Sequence, residues 1–295
     1  MDTTVNIRFF EVQRQADFPE HFSECLSEAA DLDLAEREVE IQENVVLRLE
    51  RLEEKSRGRI LAGELVRLQS QNLPARAMPG QPLQRLGVPS IGHSTAFRYD
   101  RSNNILALQM GRNGITPARV AMYVQEVAGV DGFYILPVIS QEWWEKLATE
   151  RVRALAFRVA RPDRLDSVSQ ETQTIIEGLE AMKQAGQSAF IDMSFTMGRS
   201  PEDISSGFAR RLVRWLLRQH EEGEAGVKRL TATLRNDETR QTETFPLLRA
   251  QVGDRRKLDL PDDDPAEAYN IKDRFIRELW QAKRRAIEEM FPPNG

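Results

Sequence analysis

The stretch His93–Gly129, HSTAFRYDRSNNILALQMGRNGITPARVAMYVQEVAG, decides the reading of the fold. His93 to Tyr99 and Ile105 to Gly111 flank the polar turn Asp100-Arg101-Ser102-Asn103-Asn104, the arrangement of a β-hairpin. Thr116 then precedes Pro117, a capping residue followed by proline at the first helical position. Val120, Tyr123, Val124 and Val127 recur on one face of the ensuing helix, and Gly129 stops it. Two strands joined by a turn, followed by a helix, point to an α+β chain with mostly antiparallel sheets and flanking helices rather than a doubly wound parallel fold.

The flanking sequence extends this pattern. Toward the N-terminus, Val5 to Val12 (VNIRFFEV) is dense in β-branched and aromatic residues and predicts a strand; the amphipathic stretch after Pro19, up to Ala30, predicts a helix. Glu38 to Glu53 and Arg59 to Gln69 alternate apolar with charged residues around Lys55-Ser56-Arg57-Gly58, as an exposed hairpin does, with helix as the competing reading for Val45 to Lys55. Asn72 to Pro89, with prolines at 74, 79, 82 and 89, reads as a long loop.

Toward the C-terminus, Phe133 to Ile139 predicts a strand and Ser140 a cap for a helix carrying Trp143, Trp144 and Leu147. Arg151 to Ala160, Asp166 to Ala185 and Ala189 to Met197 read as strand, helix and strand, a β-α-β unit. A helix from about Glu202 to Glu222 follows, then a hairpin of Val227 to Arg235 with Thr242 to Leu248, a short strand at Lys257 to Leu260, and a last helix from Pro265 to Phe291. The expected organisation is an N-terminal domain, 1–135, on which the helix 265–291 could return, and a second domain, 136–262, carrying the basic helix.

At 295 residues, with 40% hydrophobic and 29% charged side chains, the composition is that of a folded globular protein. Three His and the single Cys25 cannot build a Cys-and-His zinc cluster, and one thiol forms no internal disulfide, so a reducing interior is expected. No secretory leader is read, and the longest strongly apolar stretch, Phe133 to Ile139, is far shorter than the roughly 20 residues of a spanning helix. The expected location is the cytoplasm. The formal charge of −5 is uneven: residues 1–56 hold 15 acidic and 6 basic side chains, a net −9, leaving 31 acidic and 35 basic elsewhere, a net +4. The acidity is therefore an N-terminal property, and a positive surface has room elsewhere.

No nucleophile elbow, terminated phosphate loop or paired-histidine metal motif occurs. Gly111-Arg112-Asn113-Gly114 lacks the terminal Lys-Ser/Thr of a phosphate loop and reads better as a tight turn. His21, His93 and His220 lie on three different elements. A metal-dependent nuclease or toxin would need clustered carboxylates; Asp192 stands alone on its strand, and Asp262-Asp263-Asp264 reads better as a solvated, helix-capping loop. No catalytic residue, metal or cofactor is expected.

The arginines carry more. At about 100° per residue from Arg210, the positions of Arg214, Arg218 and Arg211 fall within one arc of about 100°. Phe208, Leu212, Trp215 and Leu216 lie opposite and would dock the helix. Arg199 precedes it, and Arg158, Arg161 and Arg164 end the neighbouring strand, so on one layer they could join the same patch; Lys228 and Arg229 add a short basic run at a strand edge. Guanidinium clusters suit sugar-phosphate backbones, which carry no sequence information. A solvated Arg face paired with acids from elsewhere is the rival reading.

The hairpin Ile91 to Met110, Thr116-Pro117, the strand Ile135-Leu136-Pro137-Val138, the strand Phe190 to Met197 leading through Arg199 into a basic helix, the hairpin at 227–248, and Leu258-Asp259-Leu260 before a helix ending Met290-Phe291 together resemble the phage-exclusion RexA proteins and the B component of the Kiwa antiphage system. The resemblance covers most of the chain after about residue 90 and leaves 31–56 without a counterpart. It implies a non-enzymatic, homodimeric, intracellular sensor that binds double-stranded DNA with little sequence preference and signals to a small membrane protein. Arg199, Arg210, Arg211 and Arg214 occupy the part of the pattern where that family is also basic, with Arg where it often has Lys. The alternatives are the nuclease above and a protein-interaction module that uses the acidic segment 31–56.

Overall fold

The computed structural model describes residues 2–14, 21–111, 113–130, 132–167, 169–198, 200–222, 226–237 and 239–293. The fold is α+β, with two antiparallel sheets and, among the described residues, six α-helices. The chain divides into two compact units, Met1–Ile135 with Gly253–Gly295, and Leu136–Val252.

The first unit is built on a curled, half-barrel sheet. Its elements are β1 (Asp2–Arg14), α1 (Phe22–Asp31), β2 (Glu38–Gln42), β3 (Val45–Lys55), β4 (Ile60–Gln69), β5 (Ile91–Asp100), β6 (Ile105–Met110), α2 (Pro117–Ala128) and β7 (Phe133–Pro137). The second unit contributes α3 (Gln141–Thr149), β8 (Arg151–Val159), α4 (Gln170–Gly186), β9 (Ile191–Thr196), α5 (Ser206–Glu222), β10 (Val227–Arg235) and β11 (Thr242–Pro246). The chain then returns to the first unit as β12 (Gly253–Asp259) and α6 (Pro265–Met290).

The strand order of the first sheet is β12-β1-β6-β5-β4-β3-β2, with β7 also pairing with β1. Both faces are covered, so β4 is buried without a break from Leu61 to Val66 and β1 buries adjacent residues, Phe9 and Phe10. The even side chains of β1, Phe10 and Val12, pack with α1 and α2, where Phe22, Leu26, Val120 and Val124 close one core. Its odd side chains turn to α6, where Trp280 meets Phe9 edge-on at 5.3 Å. Helix α2 starts as its sequence requires: Thr116 accepts a hydrogen bond from the Arg119 N–H, and Gly129 ends the helix at φ 64° in the left-handed region.

Several boundaries move, each for a local reason. Val45–Lys55 is a strand, in register with β4 from Val46↔Leu68 to Lys55↔Ile60. The 38–53 arm is two strands, because Asn44 at φ 62° turns β2 into β3. Helix α4 starts only at Gln170, where Ser169 and Thr172 cap each other. Helix α5 starts at Ser206 because the residues before it run extended along β8, with the Ile204 N–H donating to Val152 O at 2.9 Å. The strand at Gly253–Asp259, placed by sequence with the second domain, pairs with β1 from Asp2↔Asp259 to Arg8↔Gly253. Gly253 permits that approach: a Cβ there would lie 2.3 Å from Ile7 O.

The second unit has a four-stranded sheet, β11-β10-β8-β9. Strands β8 and β9, joined through α4, are antiparallel neighbours. Leu155, Phe157, Val159, Leu230 and Ala232 face a core completed by Ile176 and Leu179 of α4 and by Leu212, Val213 and Leu216 of α5. The alternate residues, Arg158, Ala156 and Ala154 of β8 opposite Asp192, Ser194 and Thr196 of β9, form the sheet's other face. Among the described residues no helix is long and apolar enough to cross a membrane.

Candidate nucleic-acid interface

Helix α5 is amphipathic in the strict sense. Ala209, Leu212, Val213, Leu216 and Leu217 recur every three or four residues and are buried. Trp215, also buried, donates its indole N–H to Asp166 O at 2.7 Å. That packing leaves Arg210, Arg211 and Arg214 exposed, with Arg218 half-buried, on a helix locked by its opposite side.

Counter-charges reach this face from other elements. Arg211 pairs with Glu171, in the first turn of α4, at 2.9 Å, and Arg218 lies 3.9 Å from the Asp166 carboxylate. Arg214 sets its guanidinium 5.5 Å from the ring centre of Trp144. Glu171 and Asp166 are thus counter-charges that reach this face from outside the helix. Both members of the Arg211–Glu171 pair are at least half exposed. Exposed ion pairs contribute only about 0–1 kcal/mol, so the Glu171 carboxylate is held on Arg211 only weakly.

The segment before α4 belongs to the same surface. The Asp166 N–H donates to Gln219 Oε1 of α5 at 3.0 Å, and with the Trp215 bond this seats residues 162–166 against the helix. Arg161 and Arg164, both exposed, are carried on that segment. Arg164 lies 3.9 Å from Asp163, whose carboxyl is held below the usual carboxylate range mainly by its hydrogen bond from Lys183.

Arg158 and Arg229 do not join this patch. Arg158 sits between Phe157 and Val159, which face the helices, so its side chain emerges on the opposite face of the sheet. There Arg158 and Arg229 hold Asp192 between them, at 2.7 and 2.8 Å. The hydrogen bonds from Arg158 hold the Asp192 carboxyl below its ordinary range. The single basic surface expected from sequence is thus two surfaces separated by the sheet. Lys228 is exposed where β10 begins, at a break in its register with β8.

Arg199 lies outside the described residues. On either side of it, Arg153 donates to Gly198 O at 2.9 Å and to Ser200 O at 2.7 Å. Arg151 and Arg153 both reach Asp203, whose pKa is lowered by their hydrogen bonds against the opposing effect of burial. These two arginines position the approach to α5, a role their place on a strand does not announce.

The carboxylates considered for a metal are otherwise engaged or dispersed. Asp192 is clamped by two guanidinium groups, and Asp264 caps α6 by accepting from the N–H groups of Ala266 and Glu267. Among the described residues no three His, Cys, Asp or Glu side chains gather as a metal set.

The model of a family of unknown function, DUF6731, matches residues 11–287. The chain matches no curated protein and no solved structure.

Proposed function

The chain belongs to the DUF6731 family, and we propose that it binds double-stranded DNA without sequence preference, through phosphate contacts made by α5. The observation that carries the reading is the exposed row Arg210, Arg211 and Arg214 on a helix whose other side is fully packed. Guanidinium groups on a rigid element meet phosphates bidentately with little ordering entropy left to lose. Arg218, Arg161 and Arg164 extend the surface along the helix and the segment seated on it, while Arg158, Lys228 and Arg229 lie apart. The setting, a homodimeric intracellular sensor in phage exclusion that acts without catalysis and signals to a membrane protein, rests on the RexA-like pattern of the sequence.

The test is fluorescence anisotropy of labelled duplexes of unrelated sequence, titrated over a range of salt. Wild-type protein is expected to bind them alike, with affinity falling steeply as salt rises because neutralised phosphates release counterions. Replacing Arg210, Arg211, Arg214 and Arg218 by Ala is expected to flatten the log–log slope by about one for each phosphate no longer neutralised. A slope that the quadruple variant leaves unchanged refutes the assignment to α5.

A second reading, a protein partner on the acidic segment 31–56, is favoured by Leu34, an exposed apolar side chain beside the exposed Asp31, Asp33 and Glu36. The segment cannot be removed cleanly, since Leu47 and Leu49 are core residues. Leu34→Asp is the sharper probe: on this reading it weakens association with a partner and leaves the DNA salt slope untouched.

A further inference from the structure

Residues 72–90, legible in sequence only as a proline-rich loop, form a hairpin arm. Arg76 and Gln84 exchange backbone hydrogen bonds, the Arg76 N–H donating to Gln84 O at 2.7 Å and the Gln84 N–H to Arg76 O at 3.0 Å. At the tip the Gln81 N–H donates to Met78 O at 3.1 Å, and Gly80 takes φ 71°, in the left-handed region that glycine favours. Pro79 and Pro82 fix two more backbone angles, so the tip is narrow and stiff. All of its residues are exposed except Leu73, Leu86 and Ser90, which are partly covered.

Two features of the arm need an occupant. Half of the large exposed hydrophobic residues among those described lie on it: Leu83, 72% exposed, Val88 and Met78. Apolar side chains displayed together mark a contact surface. The charge is one-sided as well: no Asp or Glu occurs between Glu64 and Asp100, whereas Arg76 and Arg85 flank the tip. Apolar wedge residues between guanidinium groups, without a carboxylate, complement the minor groove of a duplex, whose floor admits Met, Leu or Pro between base steps and whose walls are phosphate.

We propose that this arm enters the minor groove of duplex DNA, with Arg76 and Arg85 on the backbones and the Met78–Leu83 tip wedged between base pairs, kinking the duplex. The inference rests on the duplex-binding reading above and adds to it a second contact on a different unit, together with a deformation of the DNA. Wedges of this chemistry kink DNA by about 20–90°, toward the major groove. Insertion at whichever step yields most easily requires no base-specific hydrogen bond, consistent with binding that ignores sequence.

The experiment measures energy transfer between dyes at the two ends of a short duplex, beside anisotropy over salt, for full-length protein and two variants. Met78→Ser with Leu83→Ser alters only the tip, and Arg76→Ala with Arg85→Ala only the flanks. Circular dichroism and thermal unfolding confirm that these exposed substitutions leave the fold intact. Wild-type protein is expected to shorten the end-to-end distance. The tip variant is expected to abolish the bend while keeping the salt slope, and the flank variant to lower the slope by about two, one for each guanidinium. If wild-type protein binds with the α5-dependent slope but the duplex stays straight, or bends equally with the tip variant, the wedge is refuted and the duplex-binding reading stands. An arm seated on a protein would give that result. If wild-type protein binds no duplex at low salt, the duplex-binding reading fails and takes the wedge with it.

Discussion

Asp273→Ala is expected to destabilise the first unit by about 3–5 kcal/mol, the cost of stranding a buried charge. Asp273 projects from α6 onto Arg98 of β5, with two hydrogen bonds of 2.5 and 2.6 Å to a side chain only 10% exposed. The surroundings are already crowded with charge. Glu64, 3% exposed, meets Arg51 at 3.2 Å, and Lys272 donates to Ser94 Oγ at 2.7 Å. With Asp273 these five ionised groups sum to +1; without it they sum to +2. Arg98 cannot relieve the excess by losing its proton. Lys272 already feels the environment, since burial pushes its pKa below the ordinary lysine value. A depressed pKa means that the unfolded chain binds more protons, so this group's contribution to stability rises with pH toward the ordinary value of about 10.4. Replacing both partners, Arg98→Met with Asp273→Leu, removes the stranded charge and is expected to recover most of the loss. Denaturant unfolding, with hydrogen exchange read on β4 and β5, checks both variants. A loss under 1 kcal/mol for Asp273→Ala would mean that Arg98 is hydrated, and that the apolar face of α6, with Phe275, Ile276 and Trp280, holds the helix without this ion pair.

What the sequence reveals follows the range of the interaction. The hairpin around Asp100–Asn104 and helix α2 between Thr116 and Gly129 were legible because turn chemistry and caps act within four residues. The start of α4 at Gln170 rather than Asp166 is not legible, because Asp166, an acceptable cap by residue type, is instead used through its backbone by Trp215 and Gln219, about fifty residues away. The same holds for the basic face. Helical periodicity alone places Arg210, Arg211, Arg214 and Arg218 together, whereas Glu171 arrives from another helix at a separation of 40 residues. Arg158 is a different case. Its neighbours Phe157 and Val159 are both apolar, and strict strand alternation already required it to leave the core on the face opposite to them. The polar seat of α6 is hidden for the converse reason: Arg98 finds Asp273 at a separation of 175 residues, and the pairing of Glu64 with Arg51 depends on the register of β3 with β4. The arm at 72–90 was hidden because proline and glycine report a turn and nothing about what the turn displays.

Trp215→Ala is expected to cost about 3–5 kcal/mol, the range for removing a large buried aromatic side chain, and the loss should appear in exchange protection of β8, β10 and α5. The indole fills the core behind the arginine row and is 4% exposed, so its removal both opens a cavity and frees the carbonyl of Asp166. Trp215→Phe separates these effects. It keeps most of the apolar volume but loses the 2.7 Å bond to Asp166 O, a difference of about 0.5–1.5 kcal/mol for the hydrogen bond alone. Asp166 carries the counter-charge of Arg218 and ends the segment that presents Arg161 and Arg164. The Phe variant therefore loosens that segment while leaving Arg210, Arg211 and Arg214 on an intact helix. If phosphates are held chiefly by the helix, its DNA salt slope equals that of the wild type even though its stability falls. If the slope drops as far as in the quadruple Ala variant, the phosphates are held by residues 161–166, and the function of α5 is to carry that segment.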